Sequence, residues 1–339
     1  MKCLRLLLLL ALVFAMVPLT TPALAAESTM VRIAHGAFNE KIAALWIGAD
    51  KGLFKKHGVD VEVLQIRSGP QTMAALASGD LQMSYTIPGS VLSAKAGGMD
   101  VAFFAGLVNK PDGEIISSQA IKSPEDLKGK RIGVQSIGGG VWSLTMVALG
   151  YWGLDPKRDK MLIQVLGDQS VLVQALDTNN IDATYLSYTL ANDLKKRGFH
   201  SLVDLGKTGI PYQGLALAAR RAYLRENPDT VDAVLRGVLE SIAFVKNPAN
   251  KTAAIENLTK HLRLSRPADA EVGYQVLQYL YDYDIRPSLE GIRTMHRLLS
   301  PLNPKMQNVR SEDVIDEAPV QKLEKSGFLN KFLETLKRN

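Results

Sequence analysis

The sequence predicts an α/β protein built as two βα lobes joined by a two-segment hinge. Three observations predict it. From 31 to 108, short apolar runs alternate with stretches of helical period. The same alternation restarts after Gly129. Two turn-rich crossings separate the parts, Asn109-Lys110-Pro111-Asp112-Gly113 and Thr208-Gly209-Ile210-Pro211, and the second leads into one more apolar run at 215–219 that returns to the first sheet.

The elements follow in order. Residues 31–35 read as a first strand, and Ile42, Leu45, Trp46 and Ala49 mark one face of a helix that stops at Gly52. A strand at 59–66, a helix at 71–78 and a strand at 82–86 complete βαβαβ. Pro88-Gly89 opens a helix that ends at Gly97-Gly98, and 101–108 is a further strand. Ser123-Pro124-Glu125-Asp126 is a helix start, with serine at the cap, proline in the first position and acids at the positive end of the dipole. In the second unit, strands at 131–135, 161–165 and 182–186 alternate with helices at 141–152 and 170–179 and a third after Tyr188. From Asn227-Pro228-Asp229 onward the chain is helical, with Val231, Val234, Leu235, Val238 and Ile242 as one stripe and later helices at 248–261, 267–283, 288–299 and 320–336. The expected division is 26–110 with 213–339 as one lobe, and 117–208 as the other.

Lys2 and Arg5 precede an apolar run from 6 to 17, and Ala23-Leu24-Ala25 follows a proline-bounded break. This is the pattern of a secretory signal peptide, with cleavage expected between Ala25 and Ala26 or one residue later. Cys3 is the only cysteine of the chain and leaves with that segment, so the mature chain has no disulfide and no cysteine metal site. The formal net charge of +6 is scattered rather than clustered. It gives no nucleic-acid footprint, and Lys195-Lys196-Arg197 reads as a solvated helix face.

One motif run is more specific than the pattern. Lys51-Gly52-Leu53-Phe54-Lys55-Lys56-His57-Gly58-Val59-Asp60-Val61-Glu62 is followed by Ser68-Gly69-Pro70 and by Ala75-Leu76-Ala77-Ser78-Gly79-Asp80. Asp126-Leu127-Lys128-Gly129-Lys130-Arg131-Ile132-Gly133-Val134-Gln135-Ser136 forms a second run. Together they resemble the periplasmic substrate-binding proteins of nitrate/sulfonate/taurine-type ABC importers, within the superfamily that also holds thiamine-pyrimidine synthases. The resemblance covers roughly 31–244. It implies the type II periplasmic binding protein fold and periplasmic location. It also implies a monomer that passes a small polar or anionic organic solute to an ABC permease, without cofactor. Where the family often carries Trp-Glu-Pro, this chain has Tyr185-Leu186-Ser187-Tyr188.

Strand ends that feed helix starts are where α/β sheets hold small polar ligands. His35, Phe38 and Asn39 close the first strand, as hydrogen-bond donors and an apolar wall. Ser68, Gly69 and Gln71 open the next helix, where Ser68 either caps it or faces a ligand. Thr86 and Pro88 follow the third strand. In the second lobe the equivalents are Ser136, Gly138 and Gly139, then Asp168 and Gln169, then Tyr185, Ser187 and Tyr188. Tyr212 belongs to the hinge, and Trp142 is a candidate to stack on the ligand, whereas Trp46 and Trp152 belong to cores. Helix N-termini and hydroxyls, rather than a buried cation, are expected to hold the ligand. Arg67 is the only cation seen nearby and is expected to be exposed, and a side chain at Gly139 is expected to fill ligand space.

Enzyme readings find little support. Gly138-x-Gly140-x-x-Ser143 lacks the third glycine of a dinucleotide fingerprint, and Gly206-Lys207-Thr208 lacks the leading glycine of a P-loop because Ser201 stands there. No His-Glu-x-x-His or Gly-x-Ser-x-Gly spacing occurs. The alternative reading is an enzyme on the same fold, of the pyrimidine-precursor synthase kind. No metal site is expected.

Overall fold

The computed structural model describes residues 28–338. The segment expected to be a signal peptide, with its expected cleavage point, lies outside the described residues. The first run comprises β1 (Thr29–His35), α1 (Ala43–Asp50), β2 (Val59–Gln65), α2 (Gly69–Ser78), β3 (Met83–Thr86), α3 (Pro88–Ala96) and β4 (Val101–Gly106). The chain then crosses to β5 (Glu114–Ser117), β6 (Arg131–Val134), α4 (Gly140–Tyr151), β7 (Leu162–Val165), α5 (Gln169–Asp177), β8 (Ala183–Leu186), α6 (Tyr188–Lys196) and β9 (His200–Asp204). It crosses back to β10 (Ala216–Arg220), followed by α7 (Arg221–Glu226), α8 (Pro228–Lys246), α9 (Lys251–His261), α10 (Glu271–Leu280), α11 (Leu289–Leu299), α12 (Ala318–Lys325) and α13 (Phe328–Arg338).

Two five-stranded sheets result, in the orders β2-β1-β3-β10-β4 and β7-β6-β8-β5-β9. In each, four strands run in one direction and the strand entered from a crossing runs antiparallel to them: β10 between β3 and β4, β5 between β8 and β9. The return of the chain to the first sheet is therefore as the sequence predicts. β4 reads as an unbroken apolar run because every residue of it is buried. Phe54 explains the Lys51-Gly52-Leu53-Phe54 motif. Its ring plugs a slot between α1 and α8, and a β-carbon at Gly48 or Gly237 would lie 2.3 Å from it. The predicted stripe of α8 is wholly buried. No helix among the described residues is long and apolar enough to cross a membrane.

The two sheets do not have wholly separate cores. One apolar cluster joins Val91 and Phe103 of the first sheet's layer to Val134, Val141 and Leu144 of the second, through Ile292, Met295 and Leu299 of α11. α11 thus lies between α3 and α4 and ties the lobes together.

Four local expectations are corrected. The start at Ser123 gives only a single 3-10 turn, Pro124–Leu127, although its capping box forms. The predicted helix at 320–336 is two helices, because Gly327 takes φ 73° between them. The helix expected to reach residue 283 ends at Leu280, and β5 and β9 are strands that periodicity did not single out.

Candidate functional site

The carboxyl ends of the parallel strands of both sheets face a shared cleft, a cavity of about 440 Å³. From the first lobe it is lined by Phe38, Asn39, Lys41, Gly69, Tyr85, Thr86 and Gly89. From the second come Gln135, Ser136, Gly138, Gly139, Asp168, Gln169 and Tyr185, and the returning crossing adds Tyr212. The topology forces this meeting, since parallel strands deliver all their ends to one edge of a sheet.

Helix starts dominate the lining. α2 is capped by Ser68, whose hydroxyl accepts from the Gln71 N–H at 3.4 Å. α5 is capped by Asp168, which accepts from Ser170 and Val171 at 3.2 and 3.4 Å. α3 and α4 differ: Ile87 and Gly139 precede them and supply no side-chain cap. Their first-turn N–H groups are free of capping side chains and carry the positive end of the helix dipole. These two starts meet across the cleft, where a β-carbon at Gly89 would lie 2.7 Å from the Gly138 carbonyl oxygen. Arg67 also reaches across, 3.1 Å from Asp168, with its side chain 66% exposed.

Of the eighteen predicted residues, Phe38, Asn39, Gly69, Thr86, Ser136, Gly138, Gly139, Asp168, Gln169, Tyr185 and Tyr212 come together in the cavity lining. His35, Ser68, Gln71, Pro88, Trp142, Ser187 and Tyr188 do not line it. His35 is buried and bonds through Nδ1 to the Ala37 carbonyl at 2.7 Å, its ring edge-on to Trp46. Burial lowers its pKa to about 4. Gln71 is exposed, and Pro88 opens α3 from within the buried layer. Trp142 is buried in the core that α11 completes, so it is not a stacking platform. Ser187 donates its backbone N–H to Gln169 Oε1 at 2.8 Å. Tyr188 donates its hydroxyl to Asp204, and burial drives its pKa far up. A side chain at Gly139 would strike Ser136 Oγ at 2.4 Å, inside its own loop, rather than simply fill ligand space.

Sequence reasoning missed a buried polar cluster on the cleft floor. Lys41 is buried, lines the cavity and stands 2.8 Å from the fully buried Asp112 of the first crossing. Arg67 is therefore not the only cation nearby. Lys41 Nζ also lies 3.5 Å from the Tyr185 hydroxyl. Beside it, fully buried Glu40 accepts from Thr189 of α6 at 3.3 Å, its other oxygen unpartnered, and burial raises its pKa. One signal was present. A lysine in the first helical turn after the Asn39 cap opposes the dipole and is mildly unfavourable there, although nothing local names its partner.

A family model for NMT1/THI5-like proteins matches residues 39–251. The chain belongs to this family. A Brucella abortus protein to which only a binding role is ascribed is 28% identical over 296 residues, 83% of this chain and 90% of its own length. The taurine-binding periplasmic protein of Escherichia coli is 27% identical over 231 residues, 66% of this chain and 70% of that one. Among solved structures, the periplasmic aliphatic sulphonate-binding protein SsuA of Escherichia coli superposes with TM-score 0.70 at 19% identity, over 85% of this chain and 97% of that one. The periplasmic nitrate-binding protein NrtA of Synechocystis gives TM-score 0.72 at 16% identity, over 88% and 89%. The fold of the chain is that of these periplasmic binding proteins.

Proposed function

We propose that this chain is the extracytoplasmic solute-binding component of an ABC importer. It is exported to the periplasm by a cleaved signal, works as a monomer and delivers its solute to a membrane permease. The solute is a small polar or anionic organic molecule of the sulfonate, nitrate and taurine class. The observation that carries this reading is the pair of uncapped helix starts, α3 and α4, meeting across the cleft. Backbone N–H groups and helix dipoles at such a place favour an anionic group without a free side-chain cation.

Affinity arises from closing the lobes over the solute, which removes water and completes its hydrogen bonds. No bond is made or broken. The charged groups lining the cleft are already engaged, Lys41 with Asp112 and Arg67 with Asp168, and the buried tyrosines have raised pKa values, which suits a binding site better than acid–base chemistry. The experiment is a thermal-shift screen of refolded, ligand-stripped protein against sulfonates, nitrate, taurine, pyrimidines and aromatic carboxylates. A binder raises the melting temperature by mass action. If none of these raises it at millimolar concentration, the reading fails.

A further inference from the structure

We propose that Lys41 sets the charge selectivity of the cleft floor, so that the site takes an anion whose far end carries a hydrogen-bond acceptor and rejects its ammonium-bearing counterpart. This rests on the solute-binding reading above and concerns the same cleft.

An ammonium has three N–H donors and no acceptor. Lys41 directs one at Asp112, at 2.8 Å, and another toward the Tyr185 hydroxyl at 3.5 Å. The remaining donor has no partner among the described residues, and Lys41 lines the cavity with its side chain 7% exposed. Asp112 is fully buried and is not part of the lining, so the pair presents its positive end to a ligand. Lys41 is also held in place. Its carbonyl accepts from Tyr85 at 3.2 Å and from Tyr281 at 2.8 Å, and its N–H donates to Asn39 Oδ1 at 3.2 Å.

A second group waits on the same floor. The Tyr212 hydroxyl is buried, Tyr212 belongs to the lining, and the hydroxyl finds no hydrogen-bond partner among the described residues. The Ser143 hydroxyl beside it donates to the Gly139 carbonyl at 2.7 Å, and its oxygen is the protein acceptor nearest in kind to what a ligand oxygen would offer Tyr212. Leaving a buried hydroxyl unpaired is costly, and a ligand oxygen would relieve it. A hydroxyl, carbonyl or ether oxygen suits both Lys41 and Tyr212. An ammonium meets like charge at Lys41. The carboxyl groups beside Lys41, Asp112 and Glu40, are fully buried outside the lining, and Asp168 of the lining is engaged by Arg67.

The test is calorimetry on ligand-stripped protein with three sulfonates that differ only at the far carbon: 2-hydroxyethanesulfonate, ethanesulfonate and taurine. The wild type is expected to bind the hydroxyl compound at least about tenfold more tightly than taurine, with ethanesulfonate between them. Lys41→Met alone strands a buried carboxylate and endangers folding. The double variant Lys41→Met/Asp112→Asn removes both charges, and in it the preference is expected to shrink below about threefold. Taurine binding as tightly as 2-hydroxyethanesulfonate to the wild type overturns the proposal, as does a preference that survives the double variant. Binding of none of the three also overturns it, while a melting-temperature rise with another acid in the wider screen would leave the solute-binding reading standing.

Discussion

Replacing Gly89 by alanine separates closure of the cleft from stability of the fold. Gly89 lies in the first turn of α3, and a β-carbon there stands 2.7 Å from the Gly138 carbonyl oxygen and 3.5 Å from Leu299. The obstacle is backbone of the opposite lobe, so no side-chain rotation relieves it. Carbon and oxygen rest comfortably at about 3.3 Å or more, so the lobes must part by roughly 0.5 Å at this point. Overpacking of this kind costs about 1–3 kcal/mol. If solute binding requires this lobe contact, affinity drops by about 5- to 150-fold. Stability without solute moves the other way or not at all, because alanine is the better helix former by up to about 1 kcal/mol. Calorimetry gives the affinity, urea unfolding the stability and small-angle scattering the closure. Unchanged affinity in Gly89→Ala refutes the reasoning. A loss of affinity with a parallel loss of stability points to a damaged fold and refutes it equally.

Acid should unfold the protein partly through His35. Its pKa is 6.5 unperturbed and about 4 in the fold, so neutral burial contributes stability above pH 6.5 that is lost as pH falls toward 4. That loss amounts to about 3 kcal/mol. His35→Leu should flatten this limb of a urea-unfolding pH series, and an unchanged slope would contradict the assignment. Glu40 acts in the opposite direction. Its folded pKa lies above the ordinary 4.5, so stability should decline as pH rises past 4.5 and the buried carboxyl is forced to ionise. Glu40→Gln should abolish that decline, and its persistence in the variant would place the titration elsewhere. Arg67→Ala should change solute affinity by no more than about 1 kcal/mol, since its exposed pair with Asp168 is screened by water. Loss of all binding in that variant would make the site a cationic pocket.

Much of the architecture was legible because periodicity is local. The α8 stripe, the βα alternation and the glycine-bounded turns each follow from residues close in sequence. β5 was not legible: Glu114-Ile115-Ile116-Ser117 is too short for a period, and it becomes a strand only by pairing with β8 and β9 from far along the chain. The Ser123 start carried every helix signal, yet it yields one turn because Gly129-Lys130 soon leads into β6. The cleft's position was readable from strand ends, which is why Thr86, Ser136 and Asp168 line it. Its floor was not. Lys41 meets Asp112 across 71 positions, and neither residue has a local pattern that announces the other. His35 and Trp142 occupy strand-end and helix-start positions that suggest ligand contact, but the first turns its ring toward Trp46 and the second enters the core that α11 completes.

The central claim is that two lobes close over a small solute. Small-angle scattering on ligand-stripped protein, with and without a saturating amount of the compound that most raises its melting temperature, tests it most directly. The radius of gyration is expected to fall on adding the compound. A radius unchanged at saturation would contradict it.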